Sequence, residues 1–120
     1  MKKFLTIIGF LFSLSTFAQD GSNVINALKE GNASKFSGYF NSSVDVKLPQ
    51  KNEMKNAGKA DAAEAVADFF SSGKINGFDL TSQREMGGTM YIAGKLKSDA
   101  KSYNLTVMLK DNTVITVRIN

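Results

Sequence analysis

Between Lys59 and Gly73 the polar residues Asp61, Glu64, Asp68 and Ser71 recur every three or four positions, and nearly everything between them is apolar. That spacing matches the turn of an α-helix, so the four fall on one narrow stripe. Ala60, Ala62, Ala63, Ala65, Val66, Ala67, Phe69 and Phe70 cover the rest of the cylinder, more apolar surface than a helix resting on one edge of a domain would bury. The pattern predicts a central helix wrapped by other elements, ended by Gly73 in the left-handed conformation that glycine adopts most readily.

Ahead of it the signals are shorter. Val24, Ile25 and Leu28 share a helical face behind the polar run Asp20 to Asn23, and Gly31-Asn32 closes that helix. A second short helix follows, with Phe36 and Tyr39 or Phe40 on one side, broken by Asn41-Ser42-Ser43. Val44, Val46 and Leu48 then alternate with Asp45 and Lys47, the period of a half-buried strand, and Pro49 stops it. Residues 50–56 have no clear period; a second, poorly buried strand pairing back on the first is the reading that fits.

After Gly73 four strands alternate. Ile75 to Met86 sets Phe78, Leu80, Ser82 and Arg84 against Asp79, Thr81, Gln83 and Glu85. Gly87-Gly88 marks a tight turn. Met90, Ile92, Gly94 and Leu96 are then expected inward. So are Tyr103, Leu105, Val107 and Leu109, followed, beyond Asp111-Asn112, by Ile115, Val117 and Ile119. Turns this short permit only antiparallel neighbours, because parallel strands need a crossover. The predicted class is α+β: a curved antiparallel sheet of four long C-terminal strands plus a short N-terminal strand pair, wrapped round three helices. No repeat or low-complexity linker interrupts it.

The first residues read differently. Lys2 and Lys3 precede an apolar run from Phe4 to Phe12, and Thr16-Phe17-Ala18 has the small residues of a cleavage site. Residues 1–18 are therefore expected to be a signal peptide and 19–120 a single domain, exported to the periplasm or the extracellular space. The apolar run is too short for stable insertion as a spanning helix. Of the 15 Lys and Arg, two belong to that leader, so against 11 Asp and Glu the mature chain carries a net charge of +2 rather than +4. The cations are scattered, with Lys47, Lys51, Lys55 and Lys59 interrupted by Glu53, which does not suit a nucleic acid. The sequence contains no Cys and no His. Apolar burial must therefore hold the fold without disulfides, and neither the usual zinc or copper ligands nor the commonest general base near neutral pH is present. No cofactor and no metal site is expected.

Phe36, Tyr39 and Phe40 before Val44-Asp45-Val46, then Gly58 entering the helix from Ala60 to Phe70, then strands running to Ile119, resemble the cone-shaped nuclear transport factor 2-like superfamily, also called cystatin-like. The likeness covers nearly all of the mature chain, and within the superfamily the chain resembles small secreted bacterial families of unknown function. It implies a cone with a pocket between the helices and the concave sheet, and a sheet face available for dimerisation. The residues expected to line such a pocket are Tyr39, Phe70, Arg84, Met90 and Tyr103, with the Arg84 guanidinium at the cone mouth. Ketosteroid isomerase, on a similar cone, pairs a Tyr donor with carboxylic acids. Here no Asp or Glu is expected inward on a strand, so no catalytic residue is assigned. The outward set Tyr91, Ala93, Thr106, Met108, Val114 and Thr116 is less polar than a solvated sheet face, and suits a homodimer or partner surface. The leading expectation is a secreted, non-enzymatic binding module for a small apolar ligand. The alternatives are an isomerase or hydrolase of the superfamily and a structural protein of the cell envelope.

Overall fold

A computed structural model describes residues 21–120. The signal peptide expected at residues 1–18 lies outside them. The elements run α1 (Ser22–Lys29), α2 (Ala33–Ser37), β1 (Phe40–Lys47), β2 (Met54–Gly58), α3 (Lys59–Ser72), β3 (Gly77–Met86), β4 (Thr89–Lys97), β5 (Ser102–Lys110) and β6 (Thr113–Ile119). They form a single six-stranded sheet in the order β2-β1-β6-β5-β4-β3, with the three helices packed on its inner face. Every neighbouring pair is antiparallel except β1 and β6, which run parallel and join the N-terminal hairpin to the C-terminal meander.

Side-chain alternation builds the centre. Met90, Ile92 and Leu96 of β4 and Leu105, Val107 and Leu109 of β5 are all buried, and they meet Val24 and Leu28 of α1, Phe36 of α2 and Val66 of α3 in one apolar core. No polar or charged side chain among the described residues is buried. Gly94 sits in this inward row because the Phe78 ring lies over it; a Cβ there would come within 2.6 Å of that ring. Two turns take the left-handed geometry that a two-residue hairpin requires: Gly87-Gly88, and Asp111-Asn112 with φ of 54° and 65°.

Helix ends follow local chemistry. The Asn32 side chain accepts a hydrogen bond from the Lys35 backbone N–H at 3.0 Å and so caps α2. At the end of α3 the left-handed residue is Lys74, not Gly73, whose φ is −84°. The Ile75 N–H bonds back to the Phe70 carbonyl and the Lys74 N–H to the Ser71 carbonyl. This paired closure places the left-handed residue one position later and drops Ile75 into the core beside Phe70.

Three strand features depart from simple alternation. Residues 39–40 do not extend α2; Phe40 instead begins β1 and turns inward beneath Phe36, ring centroids 5.2 Å apart. A bulge in β3 between Leu80 and Ser82 inserts Thr81 and reverses the faces beyond it. Ser82 and Arg84 then lie with Ala93 and Tyr91 on the outer face, while Gln83 and Glu85 pair with Ile92 and Met90 on the inner one. A second irregularity opposite Met108 and Leu109 leaves Ile115 as the extra residue, so Val114 is buried and Ile115 only half-buried. The expectations that Arg84 and Ile115 point inward, that Val114 points outward and that no strand carboxylate faces the inner side are corrected by these two insertions.

The central helix is less enclosed than its composition suggests. Ala62, Val66 and Phe70, one stripe at four-residue spacing, are buried, whereas Ala60 and Ala67 are exposed. Alanine costs little to leave in water, so an alanine-rich helix does not have to be surrounded.

Candidate functional site

The five residues expected to form a pocket are not brought together in one. Phe70 lies in the core, nearly parallel to Phe36 at 6.3 Å between centroids, and Met90 is 6% exposed on the inner face of β4. Tyr39, half-buried, occupies the link from α2 to β1, where its carbonyl accepts the Val114 N–H at 2.7 Å. Arg84 stands on the outer face, beside Tyr91. Tyr103 packs edge-on against Phe69 at 5.0 Å with the Lys101 ammonium 5.4 Å from its ring centroid. It borders a cavity of about 260 Å³ shared with Gly73, Lys74 and Asp99. The cone centre itself is filled by large side chains such as Phe36, Leu28, Ile92 and Leu105, each under 2% exposed.

The larger cavity, about 460 Å³, opens on the other side of α3, between that helix and the β1–β2 hairpin. Its origin is local. Residues 55 and 56 bulge out of the hairpin where Val44 pairs with Ala57 but Val46 already pairs with Met54. Asn56 takes a left-handed φ of 52°, and the Asp45 carboxylate accepts its N–H at 2.8 Å, which stabilises the bulge. Pro49 and Gln50, the latter at φ 61°, then turn the chain away from the sheet. The hairpin, bent in this way beside α3, leaves a hollow between them.

Two chemistries line this hollow. Val46, Leu48, Pro49, Met54, Ala65 and Phe69 supply apolar surface. Asp61, Glu64 and Asp68 of the polar stripe of α3 form one wall together with Ser72, whereas Ser71 of the stripe does not line it; Lys51 and Asn52 lie on the hairpin side. The stripe read from the sequence is real, but it borders a cavity rather than open water alone. Its signal was available: Phe69 sits at the stripe's edge, an aromatic next to acids. The missing information was the hairpin, whose residues 50–56 carry no period. Among the described residues lining the hollow there is no Tyr, so a phenol–carboxylate pair of the isomerase kind is not assembled there. No cluster of three or more potential metal ligands occurs among the described residues, and none of their helices is long and apolar enough to cross a membrane.

On the outer face the pairing registers align a row across the sheet: Asp45, Thr116, Met108, Tyr91 and Arg84. Thr116, Met108 and Tyr91 are half-buried within it, as are Ala93 and Thr106 in the neighbouring row.

Comparison with known proteins places this architecture. The model of the family described as a domain of unknown function, DUF4783, matches residues 21–120. A solved DUF4783 family protein from Bacteroides uniformis is 25% identical, with a TM-score of 0.73 over 82% of this chain and 93% of that one. An uncharacterised cystatin-fold protein from Novosphingobium aromaticivorans has a TM-score of 0.62 at 9% identity, covering 83% of this chain and 93% of its own. An NTF2-like protein of unknown function from Cytophaga hutchinsonii has a TM-score of 0.56 at 12% identity, covering 82% of each chain. No curated protein matches the chain. The fold is thus NTF2-like, or cystatin-like, as the order of elements implied.

Proposed function

Because the chain belongs to the DUF4783 family, whose description assigns no activity, we propose a function from the cavity: an exported, non-enzymatic module that binds a small, largely apolar molecule between α3 and the β1–β2 hairpin. The observation that carries this is the cavity of about 460 Å³ with an apolar floor, within the size range of small-molecule sites. A fold of this kind with its centre filled can keep a ligand only where its layers separate, and this is the larger of the two hollows described above. The test uses the neutral dye Nile red on the mature protein, compared with Ala65→Leu, which projects a larger side chain into the hollow. Enhanced fluorescence that the variant loses supports the reading; no enhancement, or enhancement indifferent to the variant, overturns it.

The outer sheet face is proposed to meet a second copy of the chain. Its central row has Asp45 at one edge, Arg84 at the other and Met108 in the middle. A two-fold axis along the strands would reverse the row, setting Met108 on Met108 and Arg84 over Asp45, the self-complementarity that an isologous dimer needs. Equilibrium sedimentation is expected to show a dimer that Arg84→Glu weakens; a monomer at high micromolar concentration ends the idea.

A further inference from the structure

We infer that the occupant of the α3–hairpin cavity is an organic cation: a molecule with an aromatic or branched apolar body and one protonated amine. The inference rests on the binding reading above and adds the charge of the ligand. The body is set by the floor, where Phe69 and Met54, each only half-buried by the protein itself, offer apolar surface over the buried Leu48 and Val46. The head is set by the wall. Asp61, Glu64 and Asp68 recur along one side of α3, each exposed, and all three border the hollow.

None of these carboxylates forms an ion pair within the described residues, whose three salt bridges lie at Glu30, Asp79 and Glu53. The one cation among the lining residues, Lys51, stands across the hollow on the hairpin loop, so acids outnumber bases three to one at a site on a chain whose net charge is positive. Three like charges along one wall attract an opposite charge placed in the hollow and repel a like one. An anionic ligand would meet three like charges, and a neutral one would displace water from the carboxylates with nothing to replace it. A cation alone uses both halves of the lining. Phe69 adds a ring beside which an ammonium can rest.

Calorimetric titration of the wild-type mature protein with tryptamine, tryptophol and indolepropionate holds the body constant while the head group changes from cation to neutral to anion. Tryptamine is expected to bind about tenfold tighter than tryptophol at low salt, with indolepropionate weakest. The preference should shrink as ionic strength rises past about 0.15 M. The triple variant Asp61→Asn, Glu64→Gln, Asp68→Asn should weaken tryptamine to the level of tryptophol without weakening tryptophol, and Lys51→Gln should tighten tryptamine. Equal binding of amine and alcohol by the wild-type protein, or tighter binding of the carboxylate, overturns the cationic assignment while leaving the cavity reading intact. If Nile red enters the hollow and tryptamine does not, the cationic assignment again falls alone. If neither enters, the cavity reading falls as well.

Discussion

On one side of α3, Phe70 stacks over Phe36 and is 5% exposed; on the other, its neighbour Phe69 meets Tyr103 edge-on and borders a hollow of about 460 Å³. The two rings are adjacent in sequence and identical in chemistry, yet one is core and the other is candidate site. The same contrast holds for two alanines: Ala62 is wholly buried, while Ala65 is half-buried at the cavity. A helix of small residues flanked by aromatics can pack tightly toward the sheet and loosely toward the hairpin, because the partner decides which gaps are filled. Composition therefore places the helix but does not say which of its sides is finished.

Matched substitutions break or sharpen this contrast. Phe70→Ala opens a void in the core and is expected to cost about 3–5 kcal/mol, a large share of a small domain's stability, read as a fall in the urea midpoint. Ala62→Leu forces extra volume against a closed interface and should cost about 1–3 kcal/mol in the same measurement. Phe69→Ala should cost about 1–2 kcal/mol, reflecting a half-buried ring and its contact with Tyr103, and should abolish dye binding. Ala65→Leu is expected to shift the midpoint by no more than about 0.5 kcal/mol while removing the ligand. If Ala65→Leu proves as damaging as Ala62→Leu, the two sides of α3 are equally packed in solution and the cavity is closed.

The part of the fold that could be read from sequence is the pair β4 and β5, which run beside one another in an unbroken register. In β4 and β5, Met90, Ile92, Leu96, Leu105, Val107 and Leu109 follow strict alternation and are buried as the pattern requires. The misreadings fall where an extra residue is tolerated. In β3, an edge strand, Thr81 can slip out of register at little cost, and Arg84 changes face as a result. In β6 the same happens at Ile115 and moves Val114 inside. Nothing in the spelling of either segment marks the insertion, since both phases place apolar residues plausibly. The acidic stripe of α3 was legible as a stripe. That it borders a hollow depends on the bulge held by Asp45 and Asn56, a contact between residues eleven positions apart that periodicity cannot encode.

The parallel seam between β1 and β6 has a consequence for how the molecule comes into being. β1 begins at Phe40 and its partner only at Thr113, so within the sheet the N-terminal hairpin and the C-terminal meander are joined by backbone pairing only once β6 is in place. The seam closes the largest loop in the sheet, and closing large loops tends to be slow. Until then β1 presents an open backbone edge, the template on which nascent chains stick to one another. The final seven-residue strand thus acts as a latch, and its loss by clipping would leave an adhesive intermediate instead of a slightly smaller protein.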